Sequence, residues 1–170
     1  MKGGTVGTMS LMKVQRVEIP ARRMQESLDA LREYGQRNLE RFVFWAGIVG
    51  DGTARVEEVI IPDQDSHTTA DGCWVDIAAP VIQKMQVRAV MTGLTLFAQV
   101  HSHPNLPFHS ERDNELSAMK LPGSLSVVVP FLGRRPFRTF ADFACFRLAS
   151  SGVWAPLDAG QFFVVVSDHG

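Results

Sequence analysis

Residues 101–113 read His-Ser-His-Pro-Asn-Leu-Pro-Phe-His-Ser-Glu-Arg-Asp, and several side chains in that stretch are of the kinds that bind metal ions. In an extended strand residues i and i+2 point to the same face, so His101 and His103 aim both imidazoles one way. A single histidine near a strand end is commonly structural. Two at this spacing, followed at once by Pro104, begin a ligand set. Ser110 and Asp113 stand three apart, which is the spacing of a capping box, with the serine on the first-turn amides and the acid at the positive helix end. The two roles are compatible, because a cap fixes the helix start while the carboxylate can still be turned toward a metal. Two imidazoles and one carboxylate leave a fourth tetrahedral position open, the pattern of a catalytic Zn²⁺ and not of a closed structural site. A water in that position has its pKa lowered toward about 7 and can attack a carbonyl. Such a reaction also needs a carboxylate to carry a proton to the leaving amine and a donor for the oxyanion. The Ser110 hydroxyl is placed for the second task.

Several elements must position these groups. Val14, Val17 and Ile19 suggest a first strand ended by Pro20, and Met24, Leu28 and Leu31 give an amphipathic helix over 21–34 closed by Gly35. Residues 41–49 are an aromatic and β-branched run without helical periodicity, hence a buried strand. Gly50-Asp51-Gly52 turns it into a returning strand over 53–61. Residues 63–73 are polar throughout and read as a long loop. Ala78, Val81, Ile82, Met85 and Ala89 mark a second helix, residues 95–101 a strand, and Ser110 the cap of a third helix burying Leu116 and Met119. Strands follow at 125–129, about 141–148 and 161–166. This order favours an α/β (α+β) fold with a mixed sheet flanked by helices, and neither a barrel nor a Rossmann alternation. Residues 1–12 read as a flexible lead-in and 13–170 as a single domain.

The remaining features narrow the class. A net charge of −1 with no basic tail gives no case for nucleic acid or an anionic membrane. No apolar run reaches the roughly 20 residues of a membrane span. Two cysteines far apart argue against a disulfide framework, so a cytoplasmic setting is expected. Cys145 lies in an apolar strand and reads as core. Cys73 with His67 and Asp65 is a weak second metal candidate, since no further ligand is evident. His109 falls outside the ligand pattern and is expected to meet substrate or solvent. Arg134, Arg135 and Arg138 read as a solvated turn, or as a contact for an acidic partner.

The string His-Ser-His-Pro…Ser-x-x-Asp resembles the JAMM (JAB, MPN+) zinc metalloproteases, which cleave bonds to the C-terminal glycine of ubiquitin or ubiquitin-like proteins. The likeness runs from about residue 15 to 157, and the short chain is similar to the prokaryotic members. In that family a glutamate opens an early buried strand with a glycine seven residues on, which Glu40-Arg-Phe-Val-Phe-Trp-Ala-Gly47 matches. Val59-Ile-Ile-Pro-Asp-Gln64 and Ser126-Val-Val-Val-Pro130 match further segments. The resemblance implies a JAB/MPN domain of cytidine-deaminase-like fold, with His101, His103 and Asp113 as ligands of one Zn²⁺. It implies Glu40 as general base and acid and Ser110 as oxyanion donor. Glu57 and Glu58 compete with Glu40 but sit inside the following strand. Six residues separate His103 from Ser110, one fewer than the family's usual spacing, so the Leu106-Pro107-Phe108 loop must be tighter. Gln64 and the loop to Cys73 are candidates to line a substrate channel. The partner expected is a ubiquitin-like tail and its conjugates, by analogy sometimes in antiviral defence. A sulfur-carrier adduct as substrate, or a non-catalytic scaffold of the same fold, are the alternatives.

Overall fold

Successive residues of a strand face opposite sides of the sheet, and the run from residue 42 obeys this with apolar groups on both sides. Val43 and Trp45 pack into one cluster with Met24 and Leu31, whereas Phe42, Phe44 and Ala46 pack into another with Met85 and Met119. A strand so buried must be central, with helices covering each face. The computed structural model, which describes residues 10–169 apart from the side chains of Glu115 and Leu116, has this three-layer form.

The main sheet has eight strands in the order β10-β1-β3-β2-β6-β7-β8-β9. They are β1 (Arg16–Pro20), β2 (Phe42–Gly50), β3 (Thr53–Ile60), β6 (Thr95–Ser102), β7 (Leu125–Val129), β8 (Ala144–Leu148), β9 (Trp154–Leu157) and β10 (Phe163–Val166). Pairing is antiparallel for β2–β3, β2–β6, β7–β8 and β8–β9, and parallel for β1–β3, β1–β10 and β6–β7. Helix α1 (Ala21–Gly35) covers one face through Met24, Leu28 and Leu31. Helix α2 (Ala79–Met91) covers the other with Met85 and Ala89. A short α3 (Glu111–Leu116) and a one-turn α4 (Ala159–Phe162) complete the helices.

The structure departs from the sequence reading at several points. Residues 63–73 are not a loop throughout: β4 (Asp65–Thr69) and β5 (Gly72–Asp76) form a separate antiparallel hairpin. Strand β9 was hidden by Pro156, which is tolerated because β9 is an edge strand. Strand β8 begins at Ala144, since Phe140–Asp142 is a 3₁₀ turn. Helix α3 stops at Leu116, so buried Met119 lies beyond it; the side chain of Leu116 is outside the described residues. Residues 1–9 of the expected lead-in are likewise outside them. Residues 11–13 form a 3₁₀ turn with Leu11 only 2% exposed, so the fold begins earlier than residue 13.

Two glycines are required by close approach. At Gly47 the ladder slips beside β3, and a Cβ there would stand 1.8 Å from the carbonyl oxygen of Arg55. At Gly35 a Cβ would lie 2.1 Å from the Leu132 carbonyl oxygen. No helix among the described residues is long and apolar enough to cross a membrane.

Candidate metal centre

The register between β2 and β6 assembles the site. Phe42 pairs with His101, and the pairing continues past the strand end. Ser102 N donates to Arg41 O at 3.2 Å, and Arg41 N donates to Ser102 Oγ at 3.3 Å. One step further along this antiparallel register Glu40 falls opposite His103. His103 is held by β7 as well: its N donates to Val129 O at 2.9 Å, and its carbonyl accepts from Leu132 N at 2.8 Å. The hairpin fixes Glu40 from the other side, where Ser66 Oγ donates to the Glu40 carbonyl at 2.6 Å.

Asp113 comes from α3. Ser110 Oγ accepts from Asp113 N at 3.1 Å, and Ser110 N donates to Asp113 Oδ2 at 2.7 Å, a complete capping box. The cap therefore aims the carboxylate. Asp113 Oδ2 lies 3.2 Å from His103 Nε2 and Oδ1 lies 3.4 Å from His101 Nε2. One ligand atom from each of His101, His103 and Asp113 lies within 4.8 Å of the others. Among the described residues this is the single group of three or more such side chains that could share an ion.

The polar-group accounting supports an ion here. His101 is wholly buried and stacks on Phe42 at 4.5 Å, yet neither of its ring nitrogens has a hydrogen-bond partner. A buried nitrogen without a partner is costly, and a cation between the three side chains would give one of the two a partner. Two nitrogens and a carboxylate oxygen are a donor set suited to a divalent transition ion.

Glu40, His103, Ser110 and Asp113 line one cavity of about 320 Å³, which the wholly buried His101 does not line. Burial pushes the Glu40 carboxyl up to about 7; His103 opposes that rise and Asp113 adds to it. Burial also raises Asp113, but the two imidazoles beside it, with the Ser110 amide, carry it well below the usual carboxylate range. Burial lowers the His101 pKa, against the rise that Asp113 causes.

The other candidates lie elsewhere. Glu57 pairs with Arg55 at 3.4 Å and Glu58 with Arg88. Gln64 does not face the cavity. Its amide accepts from Phe42 N at 2.7 Å and donates to Phe42 O at 2.9 Å, replacing a strand partner where β3 has ended. The hairpin does border the site, through Asp71 to Val75. His67 stacks on Trp74 and pairs with Asp76 at 3.0 Å, while Cys73 meets Thr68, so no second metal site forms there. Burial pushes the Cys145 thiol up. His109 is not free to meet substrate or solvent as expected: its ring packs against Phe146 and Trp154, with both nitrogens buried.

Three supporting residues escaped the sequence reading. Ser117 Oγ donates to Gln99 Oε1 at 3.1 Å, and Gln99 Nε2 donates to Ser126 Oγ at 3.3 Å, all three fully or nearly buried. This network ties the chain just after α3 to β6 and β7. Gln99, set between the apolar residues Leu96–Ala98 and Val100, was the signal that could have found it.

No protein-family model matches the chain. The fold is similar to the solution structure of protein DSY2949 from Desulfitobacterium hafniense, with a TM-score of 0.61 over 89% of this chain and 94% of that one, at 17% identity. In sequence the chain is 34% identical over 145 residues to the probable metalloprotease y4jG of Sinorhizobium fredii, spanning 85% of this chain and 89% of the relative. The chain belongs to the metalloprotease family of that relative.

Proposed function

We propose that the chain is a zinc isopeptidase of JAMM type, cleaving after the C-terminal glycine of a ubiquitin-like modifier. The observation that carries this reading is that Glu40 lines one cavity with His103, Ser110 and Asp113 and stands outside the group of three that could hold an ion. His101, His103 and Asp113 would hold the ion. A zinc ion there supplies an electrophile and makes water acidic enough to act near neutral pH.

The chain's own groups supply the rest. Glu40, with a carboxyl poised at about 7, takes a proton from the attacking water and gives it to the leaving amine nitrogen. A general acid–base works best with its pKa near the working pH, and burial provides this. The Ser110 oxygen accepts from Asp113 N, so its own proton remains available to donate to the developing oxyanion. Strand β4 is docked through Ser66 and Thr68 onto the segment ending at Glu40, and β5 borders the cavity. An extended tail can therefore add alongside β5 by main-chain hydrogen bonds.

The test is Glu40→Gln. The variant should bind zinc at the wild-type stoichiometry while losing cleavage of a ubiquitin-like fusion by at least about 100-fold. Undiminished turnover would remove Glu40 from the reaction, and loss of zinc with activity would make Glu40 a ligand.

A further inference from the structure

Three arginines follow β7, and the proposed reaction uses none of them. The structure divides them. Arg134 is committed to the fold, with Nε donating to Gly35 O at 2.9 Å and the guanidinium reaching the Asn38 side chain. Arg135 and Arg138 form no ion pair among the described residues. Both are exposed and border a groove of about 500 Å³ whose walls include Leu28, Val129, Phe137 and Phe143. The Arg135 guanidinium lies 3.5 Å from the centroid of the Phe131 ring. Asp142 is the one acid on the groove, against these two cations.

The backbone at this groove is strained. Phe131 and Leu132 have φ of 55° and 54°, left-handed values that are unfavourable for bulky side chains. The surroundings hold them there. Phe131 N donates to Asn105 O at 3.0 Å, Leu132 N donates to His103 O at 2.8 Å, and the Leu132 side chain is buried. Those carbonyls belong to the loop that carries His103. Leu106 and Pro107 of the same loop wall the groove, while its Pro104, Asn105 and Phe108 wall the metal-site cavity. One loop thus separates two adjacent recesses.

We propose that this groove is a second binding site for the protein being cleaved, taking an extended segment in which a carboxylate side chain is flanked by apolar residues. The apolar walls accept the flanking side chains. The two unpaired guanidinium groups accept the carboxylate, for which their planar donors are matched. A basic segment would leave both cations repelled beside an apolar surface. That the occupant is substrate rests on the isopeptidase reading; the acidic–apolar preference rests on the groove alone.

The test is selection from a phage-displayed random dodecapeptide library on the full-length chain. Wild type should enrich sequences with Asp or Glu beside Leu, Ile or Phe. Synthesised singly, these should bind R135E/R138E about tenfold or more weakly, a loss equal to one charged contact. R135K/R138K should retain part of the affinity, and unchanged circular dichroism and melting would show that the variants are folded. Enrichment without acidic residues, or equal binding by R135E/R138E, overturns the proposal. A selected peptide should also raise KM for a ubiquitin-like fusion without changing kcat. A fusion cleaved with unchanged KM in its presence would show that the occupant is not substrate, and the proposal falls. Absence of any cleavage by wild type instead counts against the isopeptidase reading, and the binding result still decides the groove's preference.

Discussion

Two carboxylates share the site cavity, and their surroundings push their protons in opposite directions. Asp113 is held ionised by the two histidines and the Ser110 amide, as a ligand requires. Glu40 is raised to about 7 by burial, as a proton carrier requires. This has a consequence for stability in the metal-free protein. Glu40 has a folded pKa above its unfolded value of 4.5, so its favourable contribution is present below pH 4.5 and is lost as pH rises through 7. Glu40→Gln should therefore melt higher than wild type at pH 8, by a difference approaching about 3 kcal/mol, and equally at pH 4. Equal melting at pH 8 would mean that Glu40 is not desolvated. Ser110→Ala separates the cap from the chemistry. It should cost about 1 kcal/mol of stability and about 100-fold in kcat, with zinc content unchanged by metal analysis. The ligand types and the Ser110–Asp113 box were legible in the sequence, because their spacing is local. Glu40 was reached through family likeness alone, since its approach to His103 depends on a strand pairing across some sixty positions.

Hairpin and helix ends explain what the sequence concealed. The segment Asp65–Asp76 is polar because most of its residues are exposed or half-buried, so it carries none of the apolar alternation that marks a strand against a core. Gln64, in sequence a candidate for a channel or an ordinary loop residue, completes the start of β2. Gln64→Ala should leave Phe42 N without a partner and cost roughly 1–3 kcal/mol. Because Phe42 stacks on His101 and leads into Glu40, kcat should fall while zinc remains bound. A melting scan, metal analysis and a turnover assay check these, and an unchanged melting temperature would dismiss the strand-replacement role. Gly47 matched a family position, but its reason is visible only in three dimensions, where β3 passes too close for a Cβ.

For the molecule as a whole, the three-layer α/β class followed from β2 being apolar on both faces and from the helical spacing of Met24, Leu28 and Leu31. The strand order did not follow. Parallel pairing of β1 with both β3 and β10 joins segments from the two ends of the chain, and no local pattern encodes that. The consequence of the topology is that the segment entering β2, the end of β6 and α3 meet at the candidate metal centre, so ion binding should hold these segments together. A chelator should lower the melting temperature by about 10 °C when zinc had been present at ~1,000 times its Kd, and His101→Ala should abolish that difference.

The most direct measurement is anomalous diffraction at the zinc edge from crystals of protein purified without chelator. It should show one ion about 2.0–2.2 Å from a nitrogen of His101, a nitrogen of His103 and an oxygen of Asp113, with the Glu40 carboxylate in the same cavity but not coordinated. An ion held elsewhere, such as by His67 and Asp76, or a centre that recruits Glu40 as a ligand, would contradict the account.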